Sequence, residues 1–134
     1  QMRYYLACKV ILLYTGGPMD DKTLEMTMLY DFFGDLLTEK QRYYFDLYYN
    51  DDLSLSEIAE QADISRQGVR DIIMRAEHIL KDYESKTGIV SRFLKMQSDI
   101  SSIENDLRHI IDISNGEVRK TAEMAAEKVE NLKG

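Results

Sequence analysis

Residues 53–72 read LSLSEIAEQADISRQGVRDI, and the order of residue types along that stretch decides the fold. Ser54 stands three residues ahead of Glu57, the form of a capping box in which each side chain closes the other residue's backbone N–H, so a helix opens there and runs through Ala62. Asp63-Ile64-Ser65 is then a tight turn. Aspartate is one of the few residues besides glycine that tolerates left-handed backbone geometry, and Ser65 suits the N-cap of a second helix, Arg66 to about Asp82. Val69, Ile72, Ile73, Ala76 and Leu80 make that helix's inward stripe. Ala59 is small where two helices cross closely, Ile64 plugs the turn, and Ile58, Val69 and Ile72 fill the space between. Two short helices joined in this way form a helix-turn-helix, whose second helix is the one that enters the major groove in DNA-binding proteins.

Upstream, Leu29, Phe32, Phe33 and Leu36 recur at the spacing of one helix face, which predicts a first core helix between Leu24 and Leu37. Thr38 is placed to cap a helix beginning at Glu39 and stopping near Asn50-Asp51-Asp52, three residues that favour turns. Within it Tyr44, Phe45 and Tyr48 face inward, so the aromatic cluster Tyr43, Tyr44, Phe45, Tyr48 and Tyr49 reads as core packing, with a platform for stacked bases as the alternative.

Downstream, Lys86-Thr87-Gly88 makes a break. Phe93, Met96, Ile100, Ile103, Leu107 and Ile110 then recur at alternating steps of three and four, the spacing of a coiled-coil seam. A lone helix cannot bury such a stripe, and the expectation is that these six residues join two copies of the chain. Asn115-Gly116 interrupts the pattern, after which Val118, Ala122, Ala125, Val129 and Leu132 resume it with the phase shifted. Two helices with a bend or hairpin, or one helix with a phase slip, both fit.

The class is therefore all-α, a helix-turn-helix domain over residues 19–88 followed by amphipathic helices over 89–134. Residues 1–18 differ in character. Their apolar stretch is too short to span a bilayer and Lys9 interrupts it, so it makes a poor signal peptide. The expectation is a foreign extension or a misplaced start, with Met19, Met26 and Met28 as candidate initiators. The single cysteine, Cys8, allows no intramolecular disulfide and fits the reducing cytoplasm.

The net charge of −7 argues against a protein that coats nucleic acid or anionic membrane broadly. Charge is nonetheless uneven. Residues 38–81 carry six basic and nine acidic side chains, whereas residues 65–81 carry four basic and two acidic. The outward face of the second helix, Ser65, Arg66, Gln67, Arg70 and, further along, Met74 and Arg75, is thus the candidate nucleic-acid reader. Arginine can bridge guanine O6 and N7, and glutamine adenine N6 and N7. The alternative is that Arg66 and Arg70 pair with Asp63, Asp71 or Glu60 on a solvated surface. His78 and His109 stand near no nucleophile and in no metal pattern, and Asn50-Asp51-Asp52 lacks calcium-loop spacing. No catalytic residue, metal or cofactor is expected.

From Leu37-Thr38-Glu39-Lys40-Gln41 to Leu80 the chain resembles the promoter-reading C-terminal region of bacterial sigma factors. More closely, residues 19 to about 93 resemble the YlxM family of small bacterial helix-turn-helix proteins, through LLTEKQRYYFDLYYNDDLSLSEIAEQADISRQGVRDIIMRAEHILKDYE. Members usually carry glycine where this chain has Asp63. Their genes tend to neighbour those of the signal recognition particle GTPase and its receptor. The resemblance therefore implies a non-enzymatic regulator or accessory protein of that pathway, with DNA or the particle's RNA as ligand and the GTPase or its receptor as a protein partner. A module that binds the GTPase after losing nucleic-acid reading is the alternative, which the acidic balance allows.

Overall fold

The structure, a computed structural model, describes residues 21–133. The expectations for residues 1–18, Cys8 included, lie outside the described residues. Six α-helices follow one another: α1 (Asp21–Phe33), α2 (Glu39–Phe45), α3 (Leu55–Ala62), α4 (Arg66–Thr87), α5 (Ile89–Ile113) and α6 (Gly116–Leu132). There is no strand among the described residues, so the class is all-α. The chain divides into two compact units between Val90 and Ser91.

In the first unit α1 buries Met26, Met28, Leu29, Tyr30 and Phe33, continued by Leu37. Leu29 and Phe33 belong to the predicted stripe, whereas Leu36 is exposed and Phe32 only half-buried. A tighter 3₁₀ turn over Gly34–Leu36 is responsible: its 2.0 Å rise and three-residue repeat carry Leu37, not Leu36, onto the core. Thr38 caps α2 as predicted, and Gln41 answers from the third position to complete a capping box.

α2 does not run on as a regular helix to Tyr49. Asp46–Asn50 form a widened π-type turn closed by the Asp51 N–H donating to the Asp46 carbonyl at 3.0 Å. Asp52 ends it in left-handed geometry, φ 55°. Phe45 is wholly buried between Tyr30, stacked at 4.6 Å between centroids, and Tyr49 at 4.5 Å. Tyr44 is buried too, Tyr48 and Tyr49 are half-buried and Tyr43 is exposed, so the aromatic cluster is chiefly core.

Two adjoining cores result. One joins α1 and Phe45 to Ala76, Leu80 and Val90; the other joins Tyr44 to Ile58, Ala59, Val69 and Ile73, with Ile72 half-buried at its margin. α4 serves both, and it extends beyond the expected Asp82 to Thr87, ending where Gly88 turns left-handed at φ 59°. Lys86 and Thr87 belong to the helix, and the break is Gly88 alone.

The second unit is a pair of helices separated at Ser114-Asn115, so the two-helix alternative holds and the phase slip does not. Asn115 is the extended N-cap residue of α6, and Gly116 takes φ 63°. The side chains of Ile100 on α5 and Ala122 on α6 are buried, and an ion pair between Lys133 and Glu104 clasps the two helices. The Lys133 ammonium holds the Glu104 carboxyl below its ordinary range. A carboxyl depressed on folding stabilises above its unfolded pKa and loses that contribution as pH falls through its folded pKa. Glu104→Gln is therefore expected to lower the thermal midpoint at neutral pH, with the difference from wild type shrinking as acid protonates Glu104.

Candidate nucleic-acid interface

The turn before α4 adopts the predicted geometry. Asp63 sits at φ 51°, ψ 44°, and the Ile64 N–H donates to the Ala59 carbonyl at 3.2 Å. Ile64 covers the turn only in part, being 36% exposed. Ser54 and Glu57 form the capping box expected for α3. The two hydrogen bonds with Ser54, that from its backbone N–H foremost, hold the Glu57 carboxyl below its usual range.

Ser65 is the N-cap of α4, its Oγ accepting from the Gly68 N–H at 2.9 Å. That bond satisfies one of the four amide donors a helix start leaves open; the N–H groups of Arg66 and Gln67 have no partner within the helix. Outward amides at a helix start favour an anion such as phosphate.

Arg66 and Arg70, one turn apart, lie on the same flank of α4 and together with Gln67 and Leu55 of α3 line one groove. Both arginines are exposed, and neither makes an ion pair or side-chain hydrogen bond among the described residues. The pairing with Asp63, Asp71 or Glu60 weighed from the sequence is therefore not formed. Lys22 pairs with Glu77 at 3.4 Å, Arg42 with Asp35 at 3.6 Å and Lys86 with Asp82 at 2.6 Å, whereas Lys40, Arg75 and Lys81, like the two arginines, make no ion pair among the described residues.

Arg75 lies elsewhere. Five residues past Arg70 is about 140° round a helix, and Arg75 lines a second groove with Gln41 of α2, Asp71, Met74, His78 and Ile79. The six residues singled out in the sequence thus fall into a group of four, Ser65, Arg66, Gln67 and Arg70, and a second pair, Met74 and Arg75, that lines the other groove. Met74 is exposed.

Two features of this face were not picked out in the sequence, Leu55 and the partnership of Asp71 with Gln67. Leu55, half-buried, supplies the apolar wall of the first groove. Asp71 accepts from Gln67 Nε2 at 2.8 Å, which fixes the plane of the amide while leaving its carbonyl and second N–H for a base edge. The i, i+4 spacing of Gln67 and Asp71 was the available signal for that pair. No group of three or more histidine, cysteine or acidic side chains suited to a metal occurs among the described residues. Nor is any described helix long and apolar enough to cross a membrane.

Residues 20–123 match the family model UPF0122, described as "Putative helix-turn-helix protein, YlxM / p13 like". A UPF0122 protein of Thermoanaerobacter sp. strain X514 is 44% identical over 115 residues, which is 85% of this chain and 98% of that protein. One from Halalkalibacterium halodurans is 50% identical over 94 residues, 70% of this chain and 83% of the relative. One from Bacillus mycoides is 43% identical over 112 residues, 84% of this chain and all of the relative.

Proposed function

The chain belongs to the YlxM / p13-like family of helix-turn-helix proteins, and from that premise we propose that it is a non-enzymatic, cytoplasmic accessory protein that binds nucleic acid through Ser65, Arg66, Gln67 and Arg70. One observation carries the reading: two exposed guanidinium groups, unpaired among the described residues, flank the start of a capped helix in a chain whose net charge is −7. A solvated acidic protein gains little by holding arginines apart from nearby carboxylates. A ligand that brings its own negative charge explains the arrangement. Arg66 and Arg70 would contact phosphate or guanine, Gln67 a base edge in the orientation set by Asp71, and Leu55 the apolar side of the same nucleotide. Arg75 would act as a separate backbone contact on the far flank.

The resemblance to the YlxM family favours the signal recognition particle as the setting, so its RNA is the first ligand to try. Fluorescence anisotropy of the full chain against that RNA and against random duplex DNA, each at low and near-physiological salt, tests the reading. Tight RNA binding that survives salt supports a role on the particle, and duplex binding supports a transcriptional one. Failure to bind either would overturn nucleic-acid reading and favour a basic protein partner, such as the particle's GTPase, for this acidic chain.

A further inference from the structure

In the second unit the six residues of the predicted seam separate into two sets. Ile100 is 7% exposed, and Phe93 and Leu107 are half-buried. Met96, Ile103 and Ile110, seven residues apart, are 50%, 47% and 37% exposed. A row of large apolar side chains therefore stands open along α5. Beside it, an apolar groove runs between α5 and α6, lined by Leu107 and Ile110 on one side and by Val118, Thr121, Ala122 and Ala125 on the other. On the α6 side Thr121, Ala122 and Ala125 are small, beside Val118 and Glu117 at the groove's end, and the distance at which helices pack depends on the side chains at the contact. Ridge and groove lie side by side on one face of the hairpin, and such a face is complementary to itself under a two-fold rotation.

Charge selects the direction of pairing. The first half of α5, residues 89–100, has Arg92 and Lys95 against Asp99, a net of +1. The second half, residues 101–113, has Arg108 against Glu104, Asp106 and Asp112, a net of −2 that falls to −1 because Glu104 is paired with Lys133. A parallel pair would set like halves together, whereas an antiparallel pair sets the positive half of each helix against the negative half of the other. With Met96 opposite Ile103 of the second copy, Arg92 comes alongside that copy's Asp106.

We propose that the Met96, Ile103 and Ile110 face of the hairpin binds a second copy of this chain, with the two α5 helices antiparallel, so that two hairpins form a four-helix bundle. The proposal is independent of what α4 reads. Ile100 and Leu107 then serve the hairpin's own packing, and the exposed set joins the copies.

The test is sedimentation velocity of the full chain at high micromolar concentration, with circular dichroism alongside. Wild type should sediment as a dimer. Ile103→Asp, at an exposed position outside the hairpin's own packing, should sediment as a monomer with its helicity retained. A second set of variants avoids the apolar face and reads direction. Arg92→Glu with Lys95→Glu should weaken the dimer about tenfold or more, because like charges then face each other. Adding Asp106→Lys and Asp112→Lys to the same chain should restore it, since the reversed halves match again only when antiparallel. A monomeric wild type, an Ile103→Asp chain that remains dimeric, or a fourfold charge variant weaker than the twofold one would each overturn the proposal.

Discussion

Replacing Arg66 and Arg70 together with alanine is expected to remove salt-sensitive nucleic-acid binding while leaving the thermal midpoint nearly unchanged. The two halves of that expectation come from the same geometry. Both side chains are exposed and make no ion pair among the described residues, so their removal breaks nothing that holds the fold, and surface changes of this kind stay within about 0.5 kcal/mol. A guanidinium that bridges a base is worth roughly 1–3 kcal/mol, and each lost phosphate contact lowers the slope of log affinity against log salt by about one on duplex DNA. The pair should therefore cost about 30-fold or more in affinity, since about 1.4 kcal/mol is tenfold. Arg75→Ala provides the contrast. On the opposite flank of α4, it should weaken binding by the smaller, sequence-independent amount of a backbone contact. Unchanged affinity in the double variant would sink the assignment of the Arg66 and Arg70 face.

What could be read from the sequence was chemistry confined within about one helical turn. Ser54 with Glu57, Thr38 before Glu39, Ser65 before Arg66 and the left-handed Asp63 each depend on neighbours three or four residues away, and all four appear as expected. Phase was lost where the backbone changed its repeat. The 3₁₀ turn at Gly34–Leu36 exchanged Leu36 for Leu37 in the core, and the π-type turn at Asp46–Asn50 replaced the last turn of a regular helix. Neither carries a clear composition signal, and both pack against α1, a placement that neighbours three or four residues away do not specify. Glycine at position 34 was the one clue: a Cβ there would come within 3.2 Å of the Tyr30 ring.

At the candidate site the sequence grouped residues by their helix, which brought in Arg75 and left out Leu55 from the neighbouring helix. Grooves form between elements, so membership in one depends on tertiary placement that spacing along a single helix does not contain. The C-terminal seam shows the same limit. Its three-four spacing says that one stripe of α5 is apolar, but not that α6 returns to cover part of it.

Phe45→Ala is expected to cost about 3–5 kcal/mol, toward the upper end of that range for a buried aromatic. Phe45 is wholly buried, and it lies between the Tyr30 ring at 4.6 Å and the Tyr49 ring at 4.5 Å. The size of the penalty turns on whether those neighbours can move into the space left behind. Both are tethered at their far ends, Tyr30 through its hydroxyl donating to Asp46 at 3.0 Å and Tyr49 through its hydroxyl donating to Glu77 at 2.5 Å. Collapse would have to break those bonds, so most of the cavity should persist. A domain of this size is commonly stable by only about 5–15 kcal/mol, so the variant should unfold at much lower urea with an unaltered slope of stability against denaturant. The loss should also reach the candidate interface. Phe45 belongs to the core that holds Ala76 and Leu80 of α4, and the same helix carries Arg66 and Arg70 at its other end. A cost below about 1 kcal/mol, outside the range for such truncations, would mean that the tyrosines do close over the gap and that the aromatic stack is not what fixes α4 in place.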